Sequence, residues 1–249
     1  MKTSVKWIVK SFTMCLMFIT YGQTPTKMKK EVTFKEGHVI EAILFSPKEH
    51  KKEALASYLT SVTPIAKEYG ANILIKFKVE NSVVGNKAAT MIAFEAWPSL
   101  DKKRAFEQDE RYIKLRNDKI NLLHYVESGL FQIEETVTVT FHHDKAYDIA
   151  GVWLKKDETS LKKFQKYYGT VVPAAMKNHQ YRPVVGLKAI PNVFDKTYHS
   201  TLFGVGEWPS REASVNFANS EVYQSIVHLR TESVANLDIF LVKPILADW

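Results

Sequence analysis

Glu207 is the residue whose type and position best suit a catalytic or ligand-binding acid. It lies near the end of residues 201–208, a segment in which apolar side chains fall on both faces of an extended chain. An uncompensated carboxylate in such surroundings is unstable, and Arg230 is the candidate partner. The pair could supply a general acid or base, or hold a polar group of a ligand. The alternative is that Glu207 is exposed to solvent at the end of the strand, or pairs with Arg230 for a purely structural reason.

Three further side chains could share this cavity. His199 precedes Glu207 by eight residues, so the period of two in a strand predicts the same face. Tyr167 and Tyr223 are expected on helices, with core packing as the alternative to a ligand contact. The expected ligand-binding set is therefore Glu207, Arg230, Tyr223, Tyr167 and His199. Glu207 and His199 are the catalytic candidates if the chain is an enzyme, which the sequence leaves open.

The sequence contains no recognised motif for metal, cofactor or nucleic-acid binding. The eight histidines show no recognised zinc spacing, so no metal is expected. There is no phosphate-binding loop, nucleophile elbow or dinucleotide fingerprint, so no cofactor is expected. The formal charge of +7 is not arranged as a basic stripe interleaved with aromatic residues, which argues against nucleic acid as a partner.

The elements that would position these residues occur twice. With an offset of 111, the Trp-Pro-Ser run at 97–99 falls on that at 208–210, and Tyr112 falls on Tyr223. With an offset of 109, Tyr58 falls on Tyr167. Self-similarity of this length predicts two copies of one domain.

Each copy is predicted to read strand, helix, strand, strand, helix, strand, which is the ferredoxin-like layout. The third strands, 90–97 and 201–208, are apolar on both faces and must be covered by helices on one side and a second sheet on the other. Each second helix should be broken, because two N-cap residues occur in each copy, at Ser99 and Asp109 and at Ser220 and Ser210. Prolines 64 and 173 should kink or step the first helices.

The run Glu207-Trp-Pro-Ser-(x)6-Phe217-(x)5-Tyr223-(x)6-Arg230 resembles the bacterial family called domain of unknown function 1330. The resemblance implies the dimeric α/β-barrel superfamily, in which two ferredoxin-like sheets close face to face. Two copies on one chain imply a barrel that closes as an intramolecular pseudo-dimer, with a homodimer as the alternative. The first copy has Ala96 and Lys119 where the second has Glu207 and Arg230, so we expect the charged pocket groups in the second copy.

The N-terminus has the layout of a secretory signal. Lysines precede an apolar run at 11–21, and cleavage is expected near Gly22/Gln23. An uncleaved anchor is the alternative. Cleavage would remove the only cysteine, Cys15, and would leave an exported chain, periplasmic or secreted, without stable membrane insertion. The expected organisation is a signal peptide at 1–22, a tether at 23–38, domain 1 at 39–135, a linker or strand extension at 136–145 and domain 2 at 146–249.

These expectations favour an exported α+β protein that binds a small molecule in a pocket between the two sheets. The alternative, which the resemblance allows, is a cofactor-independent monooxygenase or isomerase acting on a small apolar substrate. Haem binding through an axial histidine and an interaction scaffold without an enclosed cavity are further alternatives.

Overall fold

The computed structural model describes residues 28–191, 193 and 196–246. The predicted signal peptide lies outside the described residues. The strands are β1 (Lys29–Phe34), β2 (Val39–Pro47), β3 (Asn72–Val84), β4 (Met91–Trp97), β5 (Leu123–Gln132), β6 (Val137–His142), β7 (Ala146–Leu154), β8 (Arg182–Ala189), β9 (Leu202–Trp208) and β10 (Val234–Ile245). The helices are α1 (Lys52–Glu68), α2 (Leu100–Glu107), α3 (Glu110–Leu122), α4 (Glu158–His179), α5 (Arg211–Ala218) and α6 (Glu221–Ser233).

Eight strands form one closed antiparallel barrel in the order β10-β3-β4-β2-β5-β8-β9-β7. Strands β2 to β5, here called the first repeat, follow the order β5-β2-β4-β3, and strands β7 to β10, the second repeat, follow the equivalent order β10-β7-β9-β8. The repeats join where β10 pairs with β3 and where β5 pairs with β8. The predicted pair of ferredoxin-like units is confirmed, and the barrel closes within a single chain.

The third strands are covered on both sides, as predicted. Ile92 and Phe94 of β4 point into the barrel, whereas Trp97 packs with Ile65 and Phe106 beneath the helices of the first repeat. In the second repeat Trp208 packs in the same way against α4 and α5. Apolar residues on both faces of these strands therefore indicate that one face packs against the facing sheet and the other against a helical layer.

The barrel interior is filled by side chains, which corrects the expectation of a pocket between the sheets. Within the described residues its largest fully buried members are aromatic, namely Phe34, Phe77, Phe94, Phe131, Phe141, Tyr147, Tyr198, Phe203 and Phe240. The rings of Phe131 and Phe203 stack at 4.9 Å between centroids, and Phe94 meets Phe203 edge-on at 5.8 Å. Rings from the two repeats therefore occupy the space that a ligand would need.

A two-stranded ribbon of β1 and β6 adds to this core. It runs in register from Lys29 opposite His142 to Phe34 opposite Val137. Phe34 of β1 packs against Phe94, and Phe141 of β6 packs against Phe77. The stretches expected to form a tether and a linker thus contain strands that pair with each other over the barrel core.

The helical layer follows the predicted capping. Ser99 and Ser210 accept hydrogen bonds from backbone N–H groups at the starts of α2 and α5, and Asp109 and Ser220 cap α3 and α6. The break in each second helix is confirmed. Helices α1 and α4 are continuous through their prolines, so the expected step is absent. No helix within the described ranges is both long and apolar enough to cross a membrane.

Candidate active site between the first sheet and its helices

Glu207 does not pair with Arg230, because the two face opposite sides of the second sheet. Glu207 follows Phe203 and Val205 on the interior side of β9. Its Oε2 accepts hydrogen bonds from the hydroxyl of Tyr147 at 2.9 Å and from Nη2 of Arg182 at 2.8 Å. The carboxylate therefore joins the end of the barrel to a partly exposed cation rather than lining a helical pocket.

The tyrosines of the predicted set do assemble with Arg230, in the helical layer of the second repeat. Nη1 of Arg230 donates to the Tyr223 hydroxyl at 2.6 Å. The guanidinium carbon lies 6.0 Å from the centre of the Tyr167 ring and 5.8 Å from that of Tyr223. The Nε of Arg230 is buried and has no hydrogen-bond partner in the described part of the chain.

His199 lies apart from both groups. It precedes β9, which begins at Leu202, and its side chain is exposed. It lines a surface depression of about 230 Å³ together with Leu130 and Ile190. The predicted face shared with Glu207 is therefore wrong, because the strand does not extend back far enough to carry the alternation.

The first repeat contains a buried acid–base cluster that the sequence analysis missed. Glu41 on β2 lies directly opposite Glu95 on β4 in the strand register. Both carboxylates are on the side of the sheet that faces α1, α2 and α3, because their neighbours Ala42 and Phe94 point into the barrel. Glu41 is only 5% exposed, and Glu95 is partly buried. Directly opposed like charges repel, so the pair needs compensation.

Lys103 of α2 supplies that compensation. Its Nζ lies 2.6 Å from Oε2 of Glu41 and 3.4 Å from Oε1 of Glu107, and its side chain is 5% exposed. The ammonium also lies 4.4 Å from the centre of the Trp97 ring. A lysine this deeply buried is held in its charged form by the acids around it.

The surroundings of Glu41 and Glu95 shift the pKa values of the two carboxyl groups in opposite directions. Burial raises the pKa of Glu41, but the positive charges of Lys103 and Lys196 outweigh burial and bring its pKa below the usual value. Burial, and then the negative charge of Glu41, raise the pKa of Glu95 to about 7. Paired acids whose environments separate their pKa values in this way are typical of general acid–base sites.

Neutral phenols and a second lysine complete the cluster. Burial raises the pKa of Tyr58 on α1, and the nearby phenol of Tyr112 on α3 adds to that effect. Burial also raises the pKa of Tyr112 and lowers the pKa of Lys119, which interacts with Glu41. Both tyrosines therefore stay protonated at neutral pH and can donate a hydrogen bond to an oxygen that becomes negatively charged.

The surface between α1 and α3 borders the cluster at Tyr58. A depression of about 280 Å³ opens there, near the lower limit for a small-molecule site. Tyr58 lines it, together with Leu115, Leu122 and the polar side chains of Ser57 and Asp118. The lining of the depression therefore contains both apolar and polar side chains, and Tyr58, which borders it, also interacts electrostatically with Glu95.

The family model described as "Domain of unknown function (DUF1330)" matches residues 43–125 and 145–245. The chain belongs to this family. Both matched segments fall on the repeats, so this DUF1330 protein carries the family domain twice. No curated protein matches the chain.

Solved structures share the fold of this DUF1330 protein. An anthrone oxidase-like protein is 11% identical with a TM-score of 0.56, and the match covers 86% of this chain and 94% of that one. A mutant chlorite dismutase from Candidatus Nitrospira defluvii in complex with cyanide is 8% identical with a TM-score of 0.52, over 84% and 92% of the two chains. At these identities the likeness shows the shared fold.

A sequence signal for the missed cluster does exist. Glu41 interrupts the otherwise apolar run at 39–45, and Glu95 stands where the second repeat has Gly206. Lys103 and Glu107 stand where the second repeat has Ser214 and Ala218. Within the described residues there is no group of three or more His, Cys, Asp or Glu side chains that could hold a metal ion.

Proposed function

We propose that the first repeat performs acid–base chemistry on a small, largely apolar substrate with a weakly acidic C–H bond next to a carbonyl. The observation that carries the proposal is the opposed pair of Glu41 and Glu95, in which Glu95 has a pKa of about 7. A base with a pKa near the working pH is the most effective compromise between ionisation and basicity. Glu41, held ionised by Lys103, keeps the pKa of Glu95 high.

The first step transfers a proton from the substrate carbon to a carboxylate oxygen of Glu95. The electron pair of the broken C–H bond moves into the carbonyl group and leaves an enolate. Tyr58 and Tyr112 donate hydrogen bonds to the enolate oxygen, and the ammonium of Lys119 adds positive charge nearby. Donors that are fixed before the charge develops are the most effective stabilisers of such an intermediate.

The enolate has two outcomes, which correspond to an isomerase and to a cofactor-independent monooxygenase. In the first, Glu95 returns the proton to a different carbon. In the second, dioxygen oxidises the carbanion, so that a methylene and O2 become a ketone and water, with one oxygen atom in each product. The likeness to an anthrone oxidase-like protein is consistent with the second outcome, and proton abstraction is common to both.

Deuterium uptake tests that shared step without requiring turnover. Anthrone, in D2O buffer without oxygen, exchanges its acidic methylene protons, and 1H NMR follows the loss of their signal. We expect the protein to accelerate the exchange above the buffer rate. The Glu95→Gln variant should lower the protein-dependent rate by roughly 100-fold or more, the usual contribution of a positioned general base.

Glu207→Gln is the matched control, because it removes a carboxylate of the other repeat that contacts Tyr147 and Arg182 instead. It should retain the protein-dependent rate. The proposal fails if Glu95→Gln exchanges as fast as the wild type, or if the wild type does not exceed the buffer rate with anthrone. If Glu207→Gln loses the protein-dependent exchange and Glu95→Gln retains it, the catalytic base would lie in the second repeat instead.

A second candidate function is the binding of a small anionic molecule by the second repeat. Its support is the buried Nε of Arg230, a donor without a hydrogen-bond partner in the described residues, between Tyr167 and Tyr223. A carboxylate could accept from that Nε. Benzoate should quench the fluorescence of nearby Trp208, and Arg230→Met should abolish the change whereas Arg182→Met should not.

We also propose that the chain is exported and cleaved after Gly22. The support is the charge and hydropathy pattern of residues 1–22. Expression of the full chain in a bacterial host, followed by mass spectrometry of the N-terminal peptide, should give a peptide that begins at Gln23. A peptide that retains Met1 would indicate an uncleaved anchor.

A further inference from the structure

The connection between β8 and β9 crosses from the second repeat onto the first. The N–H groups of Thr197 and Tyr198 both donate to the carbonyl of Ser128 on β5, at 3.2 and 3.0 Å, and Ile190 N–H donates to the carbonyl of Leu130 at 3.1 Å. Ile190 also packs against the hydrophobic core beneath the helices of the first repeat. Backbone bonds at both ends thus fix part of the second repeat beside the acid–base cluster.

Lys196 of this connection reaches the cluster itself. Its Nζ pairs with Oε1 of Glu107, and its side chain is 10% exposed. Glu107 also accepts the ion pair from Lys103, which in turn contacts Glu41. The four side chains form an alternating series, Glu41, Lys103, Glu107 and Lys196, in which each inner member lies between two opposite charges.

We propose that Lys196, supplied by the second repeat, is a positioning residue for the carboxylate pair of the first repeat. The inference rests on the proposed acid–base function of that pair. Without Lys196, Glu107 would have Lys103 as its only partner in the series and would draw the Lys103 ammonium away from Glu41. Lys196 satisfies Glu107 and leaves Lys103 directed at the pair.

The second repeat supplies a lysine to the charged series of the first repeat, but the first repeat does not do the same for the second. The connection between β3 and β4 spans residues 85–90, six residues, whereas that between β8 and β9 spans 190–201, twelve residues. Lys87 in the shorter connection pairs with Glu127 of its own repeat. The second repeat also has Ser214 and Ala218 at the positions of Lys103 and Glu107, so it has no series for a lysine to complete.

The titration of the pair reports this arrangement directly. The charged and titratable groups that act on Glu41 and Glu95 come from β3, α1, α2, α3 and the connection, and they are Lys76, Tyr58, Lys103, Glu107, Tyr112, Lys119 and Lys196. Removing one cation from this set disfavours the doubly ionised pair. The upper apparent pKa of the pair should therefore rise.

The experiment compares the full-length wild type with Lys196→Met, followed by 13C NMR of labelled glutamate carboxyl groups across pH. The upper apparent pKa of the pair should rise by roughly half to one pH unit in Lys196→Met. Lys196→Arg, which keeps the charge, should restore it. Lys188→Met is the matched control, since Lys188 lies near the end of β8 and pairs with the exposed Glu134, and it should leave the titration unchanged.

The outcomes separate the two proposals. An unchanged titration in Lys196→Met, or an equal change in Lys188→Met, overturns the role of Lys196. A raised pKa together with no deuterium uptake by the wild type leaves the Lys196 assignment standing and rejects the proposed function. If Lys196→Met does not fold, Glu107→Gln tests the same series with the opposite sign, because removing the negative charge of Glu107 should lower the upper pKa of the pair. A rise would refute the arrangement.

Discussion

Lys103→Met tests whether the buried ion pair of the first repeat holds the pair of acids in place. Methionine keeps most of the volume and apolar stem of lysine but removes the ammonium that lies 2.6 Å from Glu41. The variant leaves the buried Glu41 carboxylate without its main partner. We expect a large loss of stability at neutral pH and a small one in acid.

The magnitude follows from the geometry. At an effective dielectric constant of about 20, two unit charges at this separation attract by about 6 kcal/mol. Removing Lys103 also removes the energy needed to bury its own charge, which offsets part of that attraction. Loss of one partner of a buried pair typically destabilises by about 3–5 kcal/mol, which for a chain of this size lowers Tm by roughly 6–20 °C.

The pH dependence gives the prediction its sign. In the wild type the folded pKa of Glu41 is below its ordinary value of 4.5, so its ionisation contributes stability above that value, and the contribution is lost as the pH falls through the folded pKa. In Lys103→Met, burial, the largest single influence on Glu41, is opposed only by the charges of Lys196 and Lys119. We therefore expect a folded pKa above 4.5, so that ionisation opposes folding once the pH exceeds 4.5. The difference between the two proteins should therefore be largest near pH 7–8 and smallest near pH 4.

Urea unfolding of both proteins, followed by circular dichroism at pH 4 and pH 7.5, measures this difference. Lys162→Met is the control, because it breaks the exposed pair between Lys162 and Glu158 and should change stability little at either pH. Equal losses for Lys103→Met at both pH values would mean that lost packing, not an uncompensated carboxylate, explains the effect. A loss under about 1 kcal/mol at pH 7.5 would refute the buried-pair argument altogether.

Three further perturbations follow from the same structure. Glu95→Gln should stabilise the protein relative to the wild type above pH 7 and make no difference near pH 4, because a pKa raised to about 7 means that ionisation opposes folding; urea unfolding against pH measures it. Tyr147→Phe removes the hydroxyl that accepts from the N–H of His142 at 2.8 Å, so hydrogen exchange at that amide should accelerate by roughly 10-fold or more. Gly206→Ala should lower Tm and Gly186→Ala should not, since a Cβ at position 206 would clash with the hydroxyl of Tyr181 and a Cβ at position 186 would meet nothing within 4 Å.

Much of the fold could be read from local patterns. The two-sided apolar character of β4 and β9 required a helical layer and a second sheet, and Ser99 and Ser210 located the helix starts that the structure has. The filled interior could not be read in this way. Alternation places Phe77 and Phe203 on an inward face, but only the joining of strands from both repeats decides that their rings contact Tyr147 and Phe131 of the other repeat.

The candidate site was less predictable because ion pairs depend on contacts between distant segments. The motif directed attention to Glu207 and Arg230, but alternation along β9 points Glu207 toward the barrel interior, whereas Arg230 lies on α6 in the helical layer on the other side of the sheet. Glu41 was visible as an acid within an apolar strand, but its opposition to Glu95 follows from the strand register. Lys196 carried no local signal, since it reaches Glu107 across 89 residues of chain and from the other repeat.

The difference between the repeats has a steric basis at the position of Glu95. Glu95 pairs with Ile73 in the strand register, and Gly206 pairs with Pro183, so Ala71 and Tyr181 occupy equivalent places two residues earlier. The Tyr181 side chain covers Gly206 so closely that even a methyl group there would clash. The second repeat thus combines a large residue, Tyr181, with a residue that has no side chain, Gly206. The first repeat combines a small residue, Ala71, with a carboxylate, Glu95. Because both repeats are encoded separately on one chain, each could take a different solution, and only the pairing with a small alanine leaves room for an acid beneath the helices.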